Sequence, residues 1–450
     1  MQVDISYDTA ALIGAVGPSA WAKLGPEDWF ENYKIIAANS RGYDLDFIYD
    51  LKMKADDLEL PTTENIVNTD MFAAVALRDM AKYKFIVYKP LHSSGLVDID
   101  RFIANDISYS CYENKKYFRE TFVNTLPIPN HIFVAIEEFL SADNDEQMSS
   151  LINLFGVKFV VQDSLNGGGR GTFVISSVQD LAYCKDTLTN EKLGTHVVIS
   201  QFIEGIERSI QVFVSKQAVI RGPLQQQLVR NPELLNPSGR GGMFFCGGRF
   251  LKAWDEQIEE QLTNIVHMVS LELASKGYKG ICGIDFLLDA KGKLWVLEIN
   301  ARTTGLLPLL NEQKSQYPLY LLHILEIARI PYRLTTKIAN TTTSVNGPES
   351  FVVLFNQSNS VSYFDDTIET GNYQFRKDKL IKLDNIARWN QKADCMLQLF
   401  ATKEFPSKPN SKLANVFLRN GGFIDSGELQ NDTKELIAYL KSRTIRGVGK

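Results

Sequence analysis

Three oxygen-bearing side chains lie close together in the segment from Gly283 to Arg302. Asp285, Glu298 and Asn300 provide two carboxylates and one amide. Oxygen-only ligand sets of this kind suit Mg²⁺, which keeps several waters and completes its octahedron with the phosphate oxygens of a substrate. The three residues therefore predict a magnesium site that serves nucleotide chemistry. A plain β-hairpin with surface acids would carry the same residues, because short motifs also match by accident.

The pattern around these residues predicts two strands joined by a tight turn. Apolar residues alternate along 284–288 and again along 294–298, and the segment 289–292 between them reads Asp-Ala-Lys-Gly, which is typical of a turn. Two antiparallel strands would bring the carboxylates and the amide to one place. We therefore expect the three ligands to form a cluster.

A glycine-rich loop, residues 166–171 with the sequence NGGGRG, lies between strand-like runs at 159–162 and 172–175. Consecutive glycines can adopt positive φ and let backbone N–H groups face phosphate oxygens. The loop is neither a Walker A loop, since no Gly-Lys-Ser/Thr follows, nor a Rossmann turn, since the chain continues as a strand. It predicts a hairpin connection that binds phosphates, with a flexible turn as the alternative.

A third feature is the β-run from 197 to 203, which breaks at Gly205 and resumes at Ile210. A strand that connects two lobes can offer backbone N–H and C=O groups to an adenine edge. Glu207, just beyond the break, is placed for the ribose hydroxyls.

Composition limits the classes of protein that the chain can represent. It has 450 residues, of which 44% are hydrophobic and 22% charged, with a net charge of −5. These values predict a globular protein of roughly two to four domains or subdomains. Nucleic acid is not an expected partner, because binding to its backbone requires concentrated Lys and Arg. Five scattered cysteines and five isolated histidines predict neither a disulfide framework nor a zinc site.

The first residues, MQVDISYDTA, lack the basic segment and apolar run of a secretory signal. No stretch reaches the ~18 uncharged apolar residues that a membrane span requires. We therefore expect a cytoplasmic protein with no membrane partner.

Residues 1 to about 110 predict a small α/β domain. Apolar runs at 34–38 and 84–88 are typical of strands, and 71–83 is typical of a helix.

The rest of the chain predicts further elements. A helix is expected at 112–127, where prolines would terminate it. A second helix is expected at 255–276, where apolar residues recur at helical spacing. Residues 333–350 are poor in apolar residues and predict a linker. After it, short strands and a helix at 432–443 predict a C-terminal domain.

Taken together, these motifs resemble the ATP-grasp superfamily over about residues 110 to 310. The motifs that carry the resemblance, in the order the family shows them, are Asn114-Lys115-Lys116 with Pro129 thirteen residues after Lys116, Gln162 through Gly171, Ser200 through Glu207, Asp285, and Glu298 through Arg302.

The resemblance implies a mixed α+β and α/β architecture with the ATP-grasp fold. Residues 1–110 would be the N-terminal pre-ATP-grasp α/β domain, and 350–450 a small C-terminal domain. The ATP-grasp domain would span 111–335, with a small lobe at about 130–203 and a large lobe at about 204–335. The two lobes would grip ATP between them.

The resemblance also implies roles for individual residues. Asp285, Glu298 and Asn300 would bind two Mg²⁺ ions, and Arg302 and Arg240 would hold the substrate carboxylate or its phosphorylated form. The residues implied in nucleotide binding are Lys116, Lys158, Gln162, Gly168, Gly169, Arg170, Gly171, Gln201, Ile203 and Glu207.

Two positions depart from the family pattern. Gln162 stands where a lysine is usual, and an amide can donate a hydrogen bond but carries no charge. Lys158 or Arg170 is a candidate for supplying that charge. Ser200 replaces the first acid of the hinge, so backbone groups of Gln201 and Ile203 are expected to bind the base.

The activity implied by the resemblance is ATP-dependent activation of a carboxylate as an acyl phosphate, which an amine then attacks to form an amide, leaving ADP and phosphate. The expected substrates are a small carboxylic or amino acid and an amine or short peptide, and the expected state is a homodimer. Two alternatives stay open, namely a ligase that modifies a larger peptide or protein, and a non-catalytic nucleotide-binding protein. The motifs do not name the substrates.

Overall fold

The structure is a computed structural model of the 450-residue chain. It describes all residues except 1–4, 8–9, 18–25, 39–45, 47, 54–62, 88–90, 166, 168, 170, 192–193, 236–242, 252–255, 313–317, 335–346, 377–378, 386–387 and 448–450. None of the described helices combines the length and the apolar character that a membrane-spanning helix requires.

The N-terminal part is built around a five-stranded parallel sheet with the order β4-β3-β2-β5-β6, and β1 pairs elsewhere. Its elements are β1 (Ile5–Tyr7), β2 (Ile13–Gly17), β3 (Lys34–Ala37), β4 (Ile48–Asp50), α1 (Thr63–Val67), α2 (Asp70–Arg78), β5 (Lys84–Ile86) and β6 (Phe102–Ile103). The neighbours Ile35 and Ile36 on β3 are both fully buried, although they point to opposite faces of the sheet. Burial on both faces is typical of parallel sheets, and the α/β expectation for this part is confirmed.

The next part is a four-stranded antiparallel sheet with the order β7-β10-β8-β9. Its elements are α3 (Lys115–Phe122), β7 (His131–Ala135), α4 (Ile136–Ser141), α5 (Asn144–Phe155), β8 (Phe159–Asp163), β9 (Thr172–Ile175), α6 (Val178–Glu191) and β10 (His196–Gln201). Gln162 pairs with Thr172 across β8 and β9. The predicted hairpin around the glycine-rich loop is therefore confirmed.

The helix predicted at 112–127 is shorter in the structure. A 3₁₀ helix occupies Ile107–Glu113, and α3 begins after Asn114, whose Oδ1 accepts hydrogen bonds from the backbone N–H groups of Lys116 and Tyr117. This cap fixes the first turn of α3, because it satisfies N–H groups that have no partner inside the helix.

The third part contains a long antiparallel strand pair and a covering helix. Its elements are β11 (Gly205–Val214), β12 (Val219–Arg221), β13 (Gln225–Val229), β14 (Phe245–Phe250), α7 (Glu256–Ser275), β15 (Gly280–Asp289), β16 (Leu294–Asn300), α8 (Leu307–Asn311), α9 (Leu319–Ile327) and β17 (Tyr332–Leu334), of which β17 pairs with β1. The break predicted between Gly205 and Ile210 is wrong, because β11 pairs residue by residue with β15 from Gly205 to Val214. Glu207 and Ser209 of that stretch lie on one face of β11 and Arg208 on the other, so these polar residues do not interrupt the strand.

The C-terminal part continues the same sheet. Its elements are β18 (Ser350–Phe355), β19 (Ser362–Phe364), β20 (Gly371–Arg376), β21 (Lys379–Asp384), β22 (Cys395–Leu399), β23 (Lys412–Leu418), α10 (Asn431–Ser442) and β24 (Thr444–Arg446). Strand β18 pairs with β14, which gives the order β16-β15-β11-β13-β14-β18-β23-β22-β20-β21, with β12 beside β11. The sheet therefore runs across the position of the expected linker, and the division of the chain near residue 350 stays a proposal.

One arginine joins three parts of the chain. The guanidinium of Arg388 lies 2.6 Å from Glu27 and 2.8 Å from Asp28 in the N-terminal part, and 3.3 Å from Glu312 after α8. These carboxylates raise the pKa of Arg388 although its burial opposes the change. The ion pairs hold the C-terminal part against the other two.

His323 on α9 gives the fold a sensitivity to acid. Its Nδ1 accepts a hydrogen bond from the backbone N–H of Ile281 at 3.1 Å, its side chain is buried, and burial lowers its pKa to about 4. A histidine whose folded pKa lies below the unfolded value of ~6.5 contributes stability that is present above pH ~6.5 and is lost as the pH falls toward 4.

We expect the free energy of unfolding to fall by up to about 3 kcal/mol from this residue between pH ~6.5 and ~4. The His323→Gln variant keeps an acceptor but does not titrate, so its urea midpoint should depend less on pH over that range. Equal pH dependence of the urea midpoint in the two proteins would contradict the assignment.

Candidate active site

The structure brings Asp285, Glu298 and Asn300 together on two paired strands. Asp285 of β15 lies opposite Glu298 of β16, and Gly283 lies opposite Asn300. The Nδ2 of Asn300 donates to Asp285 Oδ2 and to Glu298 Oε1, each at 3.1 Å. The three side chains therefore form one cluster, in which the NH₂ group of Asn300 faces the two carboxylates.

Neighbouring strands of the same sheet support Asp285. Ser209 Oγ on β11 donates to Asp285 Oδ1 at 2.7 Å, and Gln227 Nε2 on β13 donates to the same oxygen at 2.6 Å. Burial and the nearby charge of Glu298 raise the pKa of Asp285 to about 8. The pKa of Glu298 is shifted in the opposite direction. Burial raises it, but Lys115 and Asn300 lower it by more, so the net pKa of Glu298 is lowered. Two carboxylates facing each other in this way favour a bound cation.

Lys115, and not Lys116, lies at the carboxylate cluster. Lys115 Nζ is buried and lies 3.7 Å from Glu298 Oε2. Lys116 points elsewhere, with its Nζ 3.3 Å from His196 Nε2 and 3.9 Å from Glu120. The role predicted for Lys116 in nucleotide binding stays a proposal, and Lys115 joins the set of candidate site cations.

Arg302 follows the cluster and is held on two sides. Its Nε lies 3.0 Å from Glu113 Oε1, and its Nη2 donates to Asn300 Oδ1 at 2.9 Å. A fifth of its side chain is exposed. The guanidinium is therefore fixed in orientation beside the cluster and remains partly exposed.

The glycine-rich loop approaches this arginine and the large sheet. A Cβ built on Gly167 would lie 3.9 Å from Arg302 Nη2, and the carbonyl of Gly169 accepts a hydrogen bond from the N–H of Met243 at 2.9 Å. Gly169 and Gly171 have φ of 78° and 67°, values that favour glycine. The described residues of this loop therefore lie beside Arg302 and contact the chain just before β14. Gly168, Arg170 and Arg240 lie outside the described residues.

Gln162 lies on β8 at the entrance to the glycine-rich loop. Arg119 of α3 donates to Gln162 Oε1 at 2.9 Å, and Gln162 Nε2 donates to Thr172 Oγ1 at 3.2 Å. Arg119 is fully buried, and burial lowers its pKa to about 10, so it stays charged at neutral pH. Lys158, one residue before β8, lies at the other end of that strand with its Nζ 3.7 Å from the ring centre of Phe202. The cation beside Gln162 in the described part of the chain is thus Arg119.

The hinge lies between β10 and β11. Gln201 ends β10, its N–H donates to the carbonyl of Asn130 at 2.9 Å, and Ile203 lies half-buried in the short connection. Glu207 lies opposite Leu287 and shares a sheet face with Asp285, because residues two apart on a strand point the same way. Burial raises the pKa of Glu207. Glu207 and the cluster are therefore on one side of the sheet.

The cluster fits magnesium by its chemistry. It offers two carboxylates and an amide, all hard oxygen donors, and it contains neither sulfur nor imidazole. The raised pKa of Asp285 means that a second negative charge is unfavourable there without a cation. Asp285, Glu298 and Asn300 are therefore the residues that would hold the ion.

The chain is similar to a known protein family and to a curated ligase. Residues 114–305 match the family described as phosphoribosylglycinamide synthetase, ATP-grasp (A) domain. A curated relative from Niallia circulans, butirosin acyl-carrier protein L-glutamate ligase, is 24% identical over 165 residues, which are 36% of this chain and 37% of the relative. The chain thus covers little more than a third of the length of that relative.

Solved structures resemble nearly the whole chain. Biotin carboxylase from Campylobacter jejuni has a TM-score of 0.60 at 11% identity, covering 98% of this chain and 92% of that one. The biotin carboxylase domain of 2-oxoglutarate carboxylase from Hydrogenobacter thermophilus has 0.58 at 13%, covering 94% and 87%. Phosphoribosylamine–glycine ligase from Thermotoga maritima has 0.52 at 14%, covering 97% of both chains. At identities this low, the structural similarity shows a shared fold and nothing more.

Proposed function

We propose, on the premise that the chain belongs to the ATP-grasp superfamily, that it is an ATP-dependent ligase. It would activate a carboxylate as an acyl phosphate, join the acyl group to an amine, and release ADP and phosphate. The observation that carries the proposal is the cluster of Asp285, Glu298 and Asn300 beside Arg302, with the glycine-rich loop next to that arginine.

The reaction needs two steps. In the first, a carboxylate oxygen of the substrate attacks the γ-phosphorus of ATP, and the bond from that phosphorus to the bridging oxygen of ADP breaks. In the second, the amine nitrogen attacks the acyl carbon, phosphate leaves, and the nitrogen loses a proton. Both steps depend on positioning and on stabilising negative charge more than on covalent chemistry by the protein.

The residues of the site suit these demands. Asp285, Glu298 and Asn300 would hold one or two Mg²⁺ ions, which supply stabilisation of the charge on the β- and γ-phosphate oxygens. Arg302 presents a planar guanidinium that can bind a carboxylate or an acyl phosphate through two N–H groups. Glu113 fixes its orientation through the Nε contact at 3.0 Å.

The nucleotide would lie between the two sheets. We propose that backbone groups of Gln201 and Ile203 bind the adenine, that Glu207 accepts from the ribose hydroxyls, and that backbone N–H groups of the loop 166–171 face the phosphates. Glu207 is partly buried, and burial raises its pKa.

The proposal is tested by trapping the activated acid. Purified protein is incubated with Mg·ATP and hydroxylamine across pools of amino and carboxylic acids that include L-glutamate, and ADP and hydroxamate are measured. We expect both products to depend on one acid. Bound ATP without any ADP release, across every pool, would favour the non-catalytic alternative.

A protein acceptor is a second candidate. The name of the Niallia circulans relative specifies an acyl-carrier protein, which favours the alternative of a ligase that modifies a protein or peptide. Hydroxamate formed from an acid, but no amide with any small amine, would favour this alternative. An increase in the intact mass of an offered carrier protein would then identify the acceptor.

A further inference from the structure

The environment of Arg119 is unusual for a buried cation. Its side chain is 1% exposed, and none of the described carboxylates lies within ion-pair distance of its guanidinium. Its hydrogen bonds go to neutral oxygens, Gln162 Oε1 at 2.9 Å and the carbonyl of Lys115 at 3.4 Å, and its Nε has no partner. A charge removed from water in this way is costly unless an anion comes near.

The position of Arg119 tells where such an anion would bind. The guanidinium donates to Gln162 of β8 and lies close enough to Glu298 for the two charges to interact. It therefore lies between the glycine-rich hairpin and the carboxylate cluster, where the proposed function places the phosphates of ATP.

Arg119 also determines which way the Gln162 amide faces. A guanidinium can only donate, so the amide oxygen must point inward to Arg119 and the NH₂ group must point outward. One hydrogen of that group is directed to Thr172 Oγ1. Gln162 is only partly buried, and the second hydrogen has no acceptor among the described residues, which leaves it for a ligand.

We propose that Arg119 and Gln162 act as one unit that binds the phosphates of ATP, in which the buried guanidinium orients and polarises the amide. Gln162 donates to a phosphate oxygen, and the positive charge lies one hydrogen bond behind it. Because hydrogen bonds in a chain polarise one another, the amide donates more strongly than an isolated one. Arg119 is a positioning residue, and it explains how a neutral glutamine can occupy this place. The inference rests on the proposed function.

The Gln162→Glu variant separates this role from a merely structural one. Glutamate has the same shape and still accepts from Arg119, so the fold keeps its contact and gains a buried ion pair. The variant has no outward N–H donor, and its charge neutralises Arg119. We expect ADP and ATP to bind about 10- to 100-fold more weakly. The thermal midpoint should be unchanged or higher, and adenosine, which has no phosphate, should bind as it does to wild type.

The measurement is calorimetric titration of wild type and variants with adenosine, AMP, Mg·ADP and Mg·ATP. Gln179→Glu, which adds the same charge on the exposed face of α6, is the matched control and should bind all four ligands like wild type. Arg119→Met should show the same selective loss of affinity for ADP and ATP. If Arg119→Met does not fold, Gln162→Glu alone provides the test.

Two outcomes would overturn the inference in different ways. If wild type binds ATP and Gln162→Glu binds it equally well, the Arg119–Gln162 unit is not a phosphate site and the proposed function stands. If wild type binds no adenine nucleotide, the proposed function fails and this inference fails with it.

Discussion

Replacing Glu298 by Gln, or Asp285 by Asn, is expected to lower the rate of acid-dependent ADP release by at least about 1,000-fold. Each change keeps the shape of the side chain and removes one of the two anionic oxygen donors of the cluster. The remaining carboxylate and the Asn300 amide would bind a divalent cation much more weakly. The rate is measured by coupling ADP release to an absorbance assay at saturating ATP and acid.

Measuring the thermal stability of these variants distinguishes a loss of catalysis from a loss of folded structure. Asp285 and Glu298 oppose each other across paired strands, and burial together with the charge of Glu298 raises the pKa of Asp285. Asp285→Asn removes the carboxylate whose pKa is raised, so it should leave the thermal midpoint in EDTA unchanged or higher. Glu298→Gln leaves the buried Lys115 without its carboxylate partner and should lower the midpoint while the protein stays folded at the assay temperature. A variant that keeps wild-type activity, or one that loses activity only because it unfolds, would contradict the assignment of the cluster.

Arg302→Lys is expected to reduce kcat by about 100- to 1,000-fold with little change in the KM for ATP. Lysine keeps the positive charge but has no planar fork, so it cannot contact Glu113 and Asn300 together and still offer two parallel N–H groups to a carboxylate. Steady-state kinetics with the acid found by hydroxamate trapping provides the measurement.

Arg376→Lys is the matched control for that prediction. Arg376 pairs with Asp394 at 2.6 Å on β20, its side chain is 57% exposed, and it lies in the C-terminal part. Its replacement should leave kcat unchanged. If Arg302→Lys retained the wild-type kcat, Arg302 would be only a structural partner of Glu113.

Local patterns in the sequence predicted the elements that carry the site. The alternation around Asp285 and the turn at 289–292 correspond to β15 and β16, and the flanks of the glycine-rich loop correspond to β8 and β9. These elements are predictable because each pairs with its neighbour along the chain through one short turn.

Contacts between distant segments could not be predicted in this way. Ser209 and Gln227 reach Asp285 from other strands, and Arg119 reaches Gln162 from a helix 43 residues earlier in the chain. The only local signal was the buried face of α3, since Arg119 follows Lys115 by four residues and therefore lies on the same side of the helix.

The misjudged break in β11 has the same physical origin. The sequence suggested an interruption between Gly205 and Ile210, yet Glu207 and Ser209 lie on β11, on the side of the sheet that carries the site. The pairing of β11 with β15, which is distant in the sequence, keeps this stretch extended, and no local pattern encodes that pairing. The linker expected at 333–350 stays a proposal, although β18 pairs directly with β14.

The most direct test of the account is an isotope transfer from the activated acid. The acid identified by hydroxamate trapping is labelled with ¹⁸O in its carboxylate and incubated with Mg·ATP, the amine and the protein, and the released phosphate is analysed by mass spectrometry. An acyl phosphate intermediate predicts one ¹⁸O atom in phosphate and ADP as the nucleotide product. Unlabelled phosphate, or ¹⁸O found in AMP, would contradict carboxylate activation by the γ-phosphate.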